Sequence, residues 1–128
     1  MVKSAPRLLV CESGSSAVEL GIILSVFLSM LFGIINFAMV LWTLGSLHYA
    51  AETAARCASI GSANCTSASA IQTYAFDQYA GQSLGGTNPF SYSATGCGHT
   101  VTASYIYSLV IPLIGSYSVP LSATACSP

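Results

Sequence analysis

Charge is almost missing from this chain. Three basic and four acidic residues make up 5% of its 128 positions, against about a quarter in an ordinary soluble domain. A net charge of −1 leaves no basic face to hold phosphates, which argues against nucleic-acid binding. No acid follows Ser83. The stretch Gly81-Gln82-Ser83-Leu84-Gly85 matches a G-x-S-x-G nucleophile elbow, but the Ser…acid…His order cannot be completed, and a turn is the better reading. No C-x-x-C spacing occurs, and His48 and His99 lie far apart in sequence, so neither a metal site nor a cofactor is expected. The chain reads as a non-enzyme.

What is present is lipid-soluble. The segment Leu20 to Leu47, LGIILSVFLSMLFGIINFAMVLWTLGSL, holds no charge, and about 20 such residues suffice to cross a bilayer as a helix. The remainder is too polar to cover it as a buried core helix. Beyond the span no helix breaker occurs until Gly61, and AAETAARCAS favours helix. One helix is therefore expected over residues 15–60, about 70 Å at about 1.5 Å per residue. That exceeds any bilayer, so its last third must project. Lys3 and Arg7 precede the span while Glu52 and Arg56 beyond it nearly cancel. The N-terminus should stay cytoplasmic and residues 61–128 should form an exported head.

Cysteine usage agrees with export. Cys11 precedes the span; Cys57, Cys65, Cys97 and Cys126 follow it. An even number in an oxidising compartment reads as disulfides. Of three pairings, Cys57–Cys65 would staple the helix end to the next loop, and Cys97–Cys126 would clamp the open ends of a C-terminal hairpin. Within the head, Ile71, Tyr74, Ala75 and Tyr79 recur at helical spacing after the cluster Thr66 to Ser69, with Gly81 as the expected C-cap. Alternating runs at residues 99–107 and 117–125, joined through SLVIPLIGS, predict a hairpin, and residues 90–94 a shorter third strand. The expected fold class is α+β: a long transmembrane helix and a small disulfide-stapled head of one short helix and a β-hairpin or three-strand sheet.

Glu19 is the conspicuous ionisable group. A carboxylate at the edge of an apolar segment usually has a partner; otherwise it serves as an acid near a helix N-terminus. It lies five residues after Gly14 in SG-SSAVELG, behind a short basic segment that lacks the apolar core and A-x-A site of a signal peptide. Cleavage between Gly14 and Ser15 would leave a new amine on Ser15 that Glu19 can neutralise on its own or a neighbouring chain. Ser25, Ser29 and Gly33 form a small-residue ridge at four-residue spacing, and Ser46, Ala50, Ala54 and Ala58 form another; such ridges let helices approach closely. Both are expected to serve a helix bundle.

These residues resemble the TadE-like proteins, minor pseudopilins of the tight-adherence (Flp-type) branch of type IV pili. The resemblance rests on the leader ending at Gly14, the SSAVE stretch, Asn36-Phe37 within the apolar span, and Ala50-Ala51-Glu52-Thr53-Ala54-Ala55-Arg56. The C-terminal VTASYIYSLVIPLIG and SVPLSATA add to it. It implies a cleaved prepilin-type leader at residues 1–14 and processing by a prepilin peptidase. The implied partners are other pilin or pseudopilin subunits, an inner-membrane assembly platform and the lipid bilayer. The implied location is the bacterial inner membrane with a periplasmic head and, after assembly, an extracellular pilus, with adhesion at the cell surface. The alternative is a single-pass membrane protein that does not polymerise and whose head binds an envelope or surface partner.

Overall fold

The computed structural model describes residues 13–111 and 115–128. Lys3, Arg7 and Cys11 lie outside them, as does nearly all of the expected leader. Helix α1 runs over Ser13–Ile60, beginning two residues before the expected start and ending where Gly61 takes a φ of 66°. Two compact units divide at Ile34 and Ile35.

In the first unit, α1 is apolar all round, and every side chain described there is exposed. Such a helix is stable only inside lipid or inside an assembly. Leaving a large apolar side chain in water forgoes about 1.5–3 kcal/mol. Summed from Val18 to Ile34 the deficit is on the order of tens of kcal/mol, against a typical net stability of about 5–15 kcal/mol. Water is not this helix's solvent. The chain is a single-pass membrane protein, with one helix among the described residues long and apolar enough to cross a bilayer.

The second unit, Ile35–Pro128, holds the head and the rest of α1. Short helix α2, Ala68–Gln78, starts on the N-cap Ser67, whose hydroxyl accepts from the Ala70 N–H at 3.2 Å. Ile71 and Ala75 are buried, with Tyr74 partly so, which is the expected face. The helix stops at Tyr79 in an extended conformation rather than at a glycine cap. Gly81 serves another end: a Cβ there would strike the Tyr79 ring.

Three strands follow, β1 at Phe90–Thr95, β2 at Gly98–Ile111 and β3 at Gly115–Ser127. They form an antiparallel meander in the order β1-β2-β3. The two-residue turn Gly96-Cys97 joins β1 to β2, with Gly96 at a φ of 66°. Strands β2 and β3 pair from His99 opposite Ser127 to Ile111 opposite Gly115, several residues beyond the expected hairpin.

The core draws on α1, α2 and one face of the sheet. From α1 come Leu47, Ala50, Ala51, Ala54, Ala55 and Ala58; from the sheet, Phe90, Val101, Ala103, Tyr107, Leu121 and Ala123. Alanine on the helix and alternating residues on the strands let the two backbones approach without voids. Both expected disulfides are present, Cys57–Cys65 with Cα atoms 5.9 Å apart and Cys97–Cys126 at 6.4 Å. The fold is α+β as the sequence implies.

Candidate assembly helix

Gly14 and Ser15 belong to the first turn of α1. A peptidase that takes its substrate as extended backbone would have to open that turn. Opening is cheap, because the first four N–H groups of a helix have no partner within it. Glu19 is exposed and flanked by exposed Val18 and Leu20. With the helix starting at Ser13, Glu19 sits beyond the first turn, where the macrodipole no longer favours an acid appreciably. A helix-terminus role does not account for it in the uncut chain.

The inner ridge is polar only in name. The Ser25 hydroxyl donates to the Ile22 carbonyl at 2.8 Å, and the Ser29 hydroxyl to the Ser25 carbonyl at 2.8 Å. Folded back on their own helix, both present a small and nearly apolar surface. At Gly33 a Cβ would meet nothing within 4 Å. Gly14, Ser15, Glu19, Ser25, Ser29 and Gly33 therefore all lie on α1, and from Glu19 to Gly33 its own chain leaves the helix exposed.

The outer ridge has a different fate. Ala50 and Ala54 are fully buried and Ala58 nearly so, packed in the chain's own core. The expectation that both ridges serve a helix bundle is corrected: the second is occupied by the head. Four-residue spacing of small residues permits close approach by a helix or a sheet alike, and here the sheet has taken it.

Between the two ridges lies an aromatic collar that the sequence reading did not single out. The Trp42 indole donates to the Ala80 carbonyl at 3.2 Å. Thr43 is fully buried and its hydroxyl donates to the Met39 carbonyl at 2.9 Å. The Tyr79 hydroxyl donates to the Gln82 carbonyl at 2.9 Å. Burial raises the Tyr79 phenol above its ordinary value; a hydrogen bond with Thr43 opposes this, while Tyr105 and Tyr107 add to it. The phenol thus stays a donor. The one tryptophan beside several tyrosines was the available signal, since such rings favour membrane–water boundaries.

A family model described as TadE-like protein matches residues 14–56. The match opens on the candidate cleavage glycine and closes on Arg56, four residues before α1 ends. It takes in Glu19, Asn36-Phe37 and the Ala50 to Arg56 stretch. Over those residues the helix is similar to the TadE-like family. The TadE-like match stops short of the head, so VTASYIYSLVIPLIG and SVPLSATA lie outside it. Comparison with the curated proteins and with the solved structures returns no match.

Proposed function

We propose that this chain is a structural minor pilin or pseudopilin subunit of a Tad/Flp-type pilus apparatus. The observation that carries the reading is a TadE-like match that opens at Gly14, on a helix whose side chains are all exposed from Ser16 to Ile34. The N-terminus faces the cytoplasm and the head the periplasm. Two disulfides in the head support that orientation, since such bonds persist in oxidising compartments.

A prepilin peptidase cuts between Gly14 and Ser15. The cut removes Lys3 and Arg7, the charges that hold the N-terminus in the cytoplasm. In an assembled bundle Glu19 sits among apolar side chains, where a carboxylate is tolerable only when paired, and the new Ser15 amine is the nearest cation. Ser25, Ser29 and Gly33 give neighbouring helices a surface for close approach.

Intact-mass measurement on protein from its native membrane tests the first step and should find a chain beginning at Ser15. Gly14→Arg should leave the uncut form in the membrane. Glu19→Ala should still be cut but should assemble poorly. Protein in a pilus fraction that retained residues 1–14 would sink the processing step. Normal assembly of Glu19→Ala would remove only the pairing role. A head that works without polymerising has no use for cleavage at Gly14, so the same measurement separates the two readings.

A further inference from the structure

The β2–β3 ribbon has a direction relative to α1. At one end Ser127, paired with His99, donates its hydroxyl to the Ser59 hydroxyl at 3.0 Å. Further along, Tyr107, Leu109 and Val119 join the same core against which Val40 and Leu44 of α1 pack. The ribbon therefore runs back along the helix, from the level of Ser59 towards that of Leu44 and Val40. Val110 lies about 10 Å beyond Tyr107 at about 3.3 Å per residue. That distance equals about seven residues of helix at about 1.5 Å each. The ribbon end thus reaches the level of residues 35–41, where Ile35, Phe37, Met39 and Leu41 are exposed.

The surface chemistry changes at the same place. On the outer face of β2 the residues are Thr100, Thr102 and Ser104, and then Ile106, Ser108 and Val110, with Ile106 and Val110 exposed at 68% and 63%. On the inner face Tyr117, opposite Leu109, has left the core and is 54% exposed. Below the aromatic collar the ribbon exposes apolar side chains on both faces, Ile106 and Val110 on one and Tyr117 on the other, with Ser108, Ser116 and Ser118 set between those of the outer face.

We propose that the end of the β2–β3 ribbon is a second membrane contact, with Ile106, Val110 and Tyr117 seated in the bilayer that α1 crosses. The occupant is lipid because Val110 and Tyr117 lie towards the exposed apolar surface of residues 35–41, beyond Tyr105 and Tyr107, with Ile106 level with those two rings. Aromatic rings of this kind gather at the membrane–water boundary. The contact is shallow. Past Ser104, whose N–H bonds the Pro89 carbonyl at 3.0 Å, no further strand pairs β2 on that edge among the described residues. Open backbone edges are not tolerated deep in hydrocarbon. The ribbon end lies at the boundary between headgroups and acyl chains, and with α1 it holds the head at two points rather than one. The proposal needs the single-pass placement of α1 but not the pilus reading.

Single-tryptophan fluorescence on the full chain tests it, in phosphatidylcholine nanodiscs holding one copy each. Trp42→Phe removes the native indole. Tyr117→Trp in that background reports on the ribbon end, and Ser93→Trp, exposed at the far end of the sheet, reports on the rest of the head. Lipid brominated near the carbonyls should remove most of the Tyr117→Trp emission and leave that of Ser93→Trp unchanged. Bromines near the methyl ends should do much less. Adding Ile106→Asp and Val110→Asp should restore the emission while alkylation still finds all four head cysteines blocked. Emission from Tyr117→Trp that ignores brominated lipid would overturn the proposal, as would quenching that survives both aspartates. Shielding that appears only when several copies share a vesicle would assign the patch to a second chain and overturn it equally. None of these outcomes bears on cleavage at Gly14.

Discussion

The two ends of α1 are made for different neighbours. From Val18 to Ile34 the helix carries Leu, Ile, Val, Phe and Met on all sides, and its own fold covers none of it. From Leu47 to Ala58 the covered positions are nearly all alanine. Large side chains suit a surrounding that adapts its shape, as lipid does. A sheet has a fixed surface, and only small side chains let a helix lie close against it. The same distinction separates the two small-residue ridges. Ser25, Ser29 and Gly33 are open, while Ala50, Ala54 and Ala58 are filled.

Cutting what fixes the head should disturb the covered end most. In the chain-entropy account a disulfide stabilises more as the loop it closes lengthens. Cys97 and Cys126 are 29 residues apart, and Cys57 and Cys65 only 8. Cys97→Ala with Cys126→Ala should cost the head about 3.5 kcal/mol, and Cys57→Ala with Cys65→Ala about 2.5 kcal/mol. Urea unfolding of the full chain in detergent measures both. Equal losses would mean that something other than loop length ranks the two bonds.

Overpacking the covered face comes next. Ala54 is fully buried, so Ala54→Leu must push the sheet away or take a poor rotamer, at a cost of about 1–3 kcal/mol. Leu28→Ala, on the exposed end, should change head stability by less than about 0.5 kcal/mol. Urea midpoints at unchanged slope would establish the contrast. A comparable loss from both would show that the two ends are not independent.

Much of this was legible before any coordinates. The apolar run declared the span, the propensity of AAETAARCAS carried the helix on to Ile60, and cysteine placement relative to the span gave both disulfides. Strand ends were harder. Leu109-Val110-Ile111 is continuously apolar, so the alternation that marks a half-buried strand disappears there, yet pairing continues to Ile111 opposite Gly115. The outer ridge was assigned to the wrong neighbour because spacing alone does not distinguish a helix groove from a sheet. Its width was the unused signal. Ala51 and Ala55 lie beside Ala50 and Ala54 and are buried with them, giving a stripe two rows broad. A single helix groove needs only one such row. Among the candidate site residues, the place of Glu19 at the edge of the apolar run was readable from its neighbours, whereas the collar around Thr43 was not, because Tyr79, Tyr105 and Tyr107 come together only through the fold.

The smallest expected effect is the most discriminating. At Gly33 a Cβ meets nothing within 4 Å, and the position lies in the uncovered unit. Gly33→Leu should therefore leave the urea midpoint of the head unchanged. Replacing glycine inside a helix should if anything firm α1 by up to about 1 kcal/mol. Judged by the isolated chain, the substitution is harmless. In a bundle of α1 helices the same side chain would hold neighbouring backbones apart along the ridge that Ser25 and Ser29 begin, and that close approach is what favours helix association in the absence of a hydrophobic driving force. The expected result is a chain that folds, inserts and is cut at Gly14 as before, but is depleted from the pilus fraction relative to its membrane pool. Gly33→Ala, which adds one methyl, should fall between the two. Full incorporation of Gly33→Leu would mean that the inner ridge faces lipid, and that the uncovered end of α1 meets its neighbours through another face.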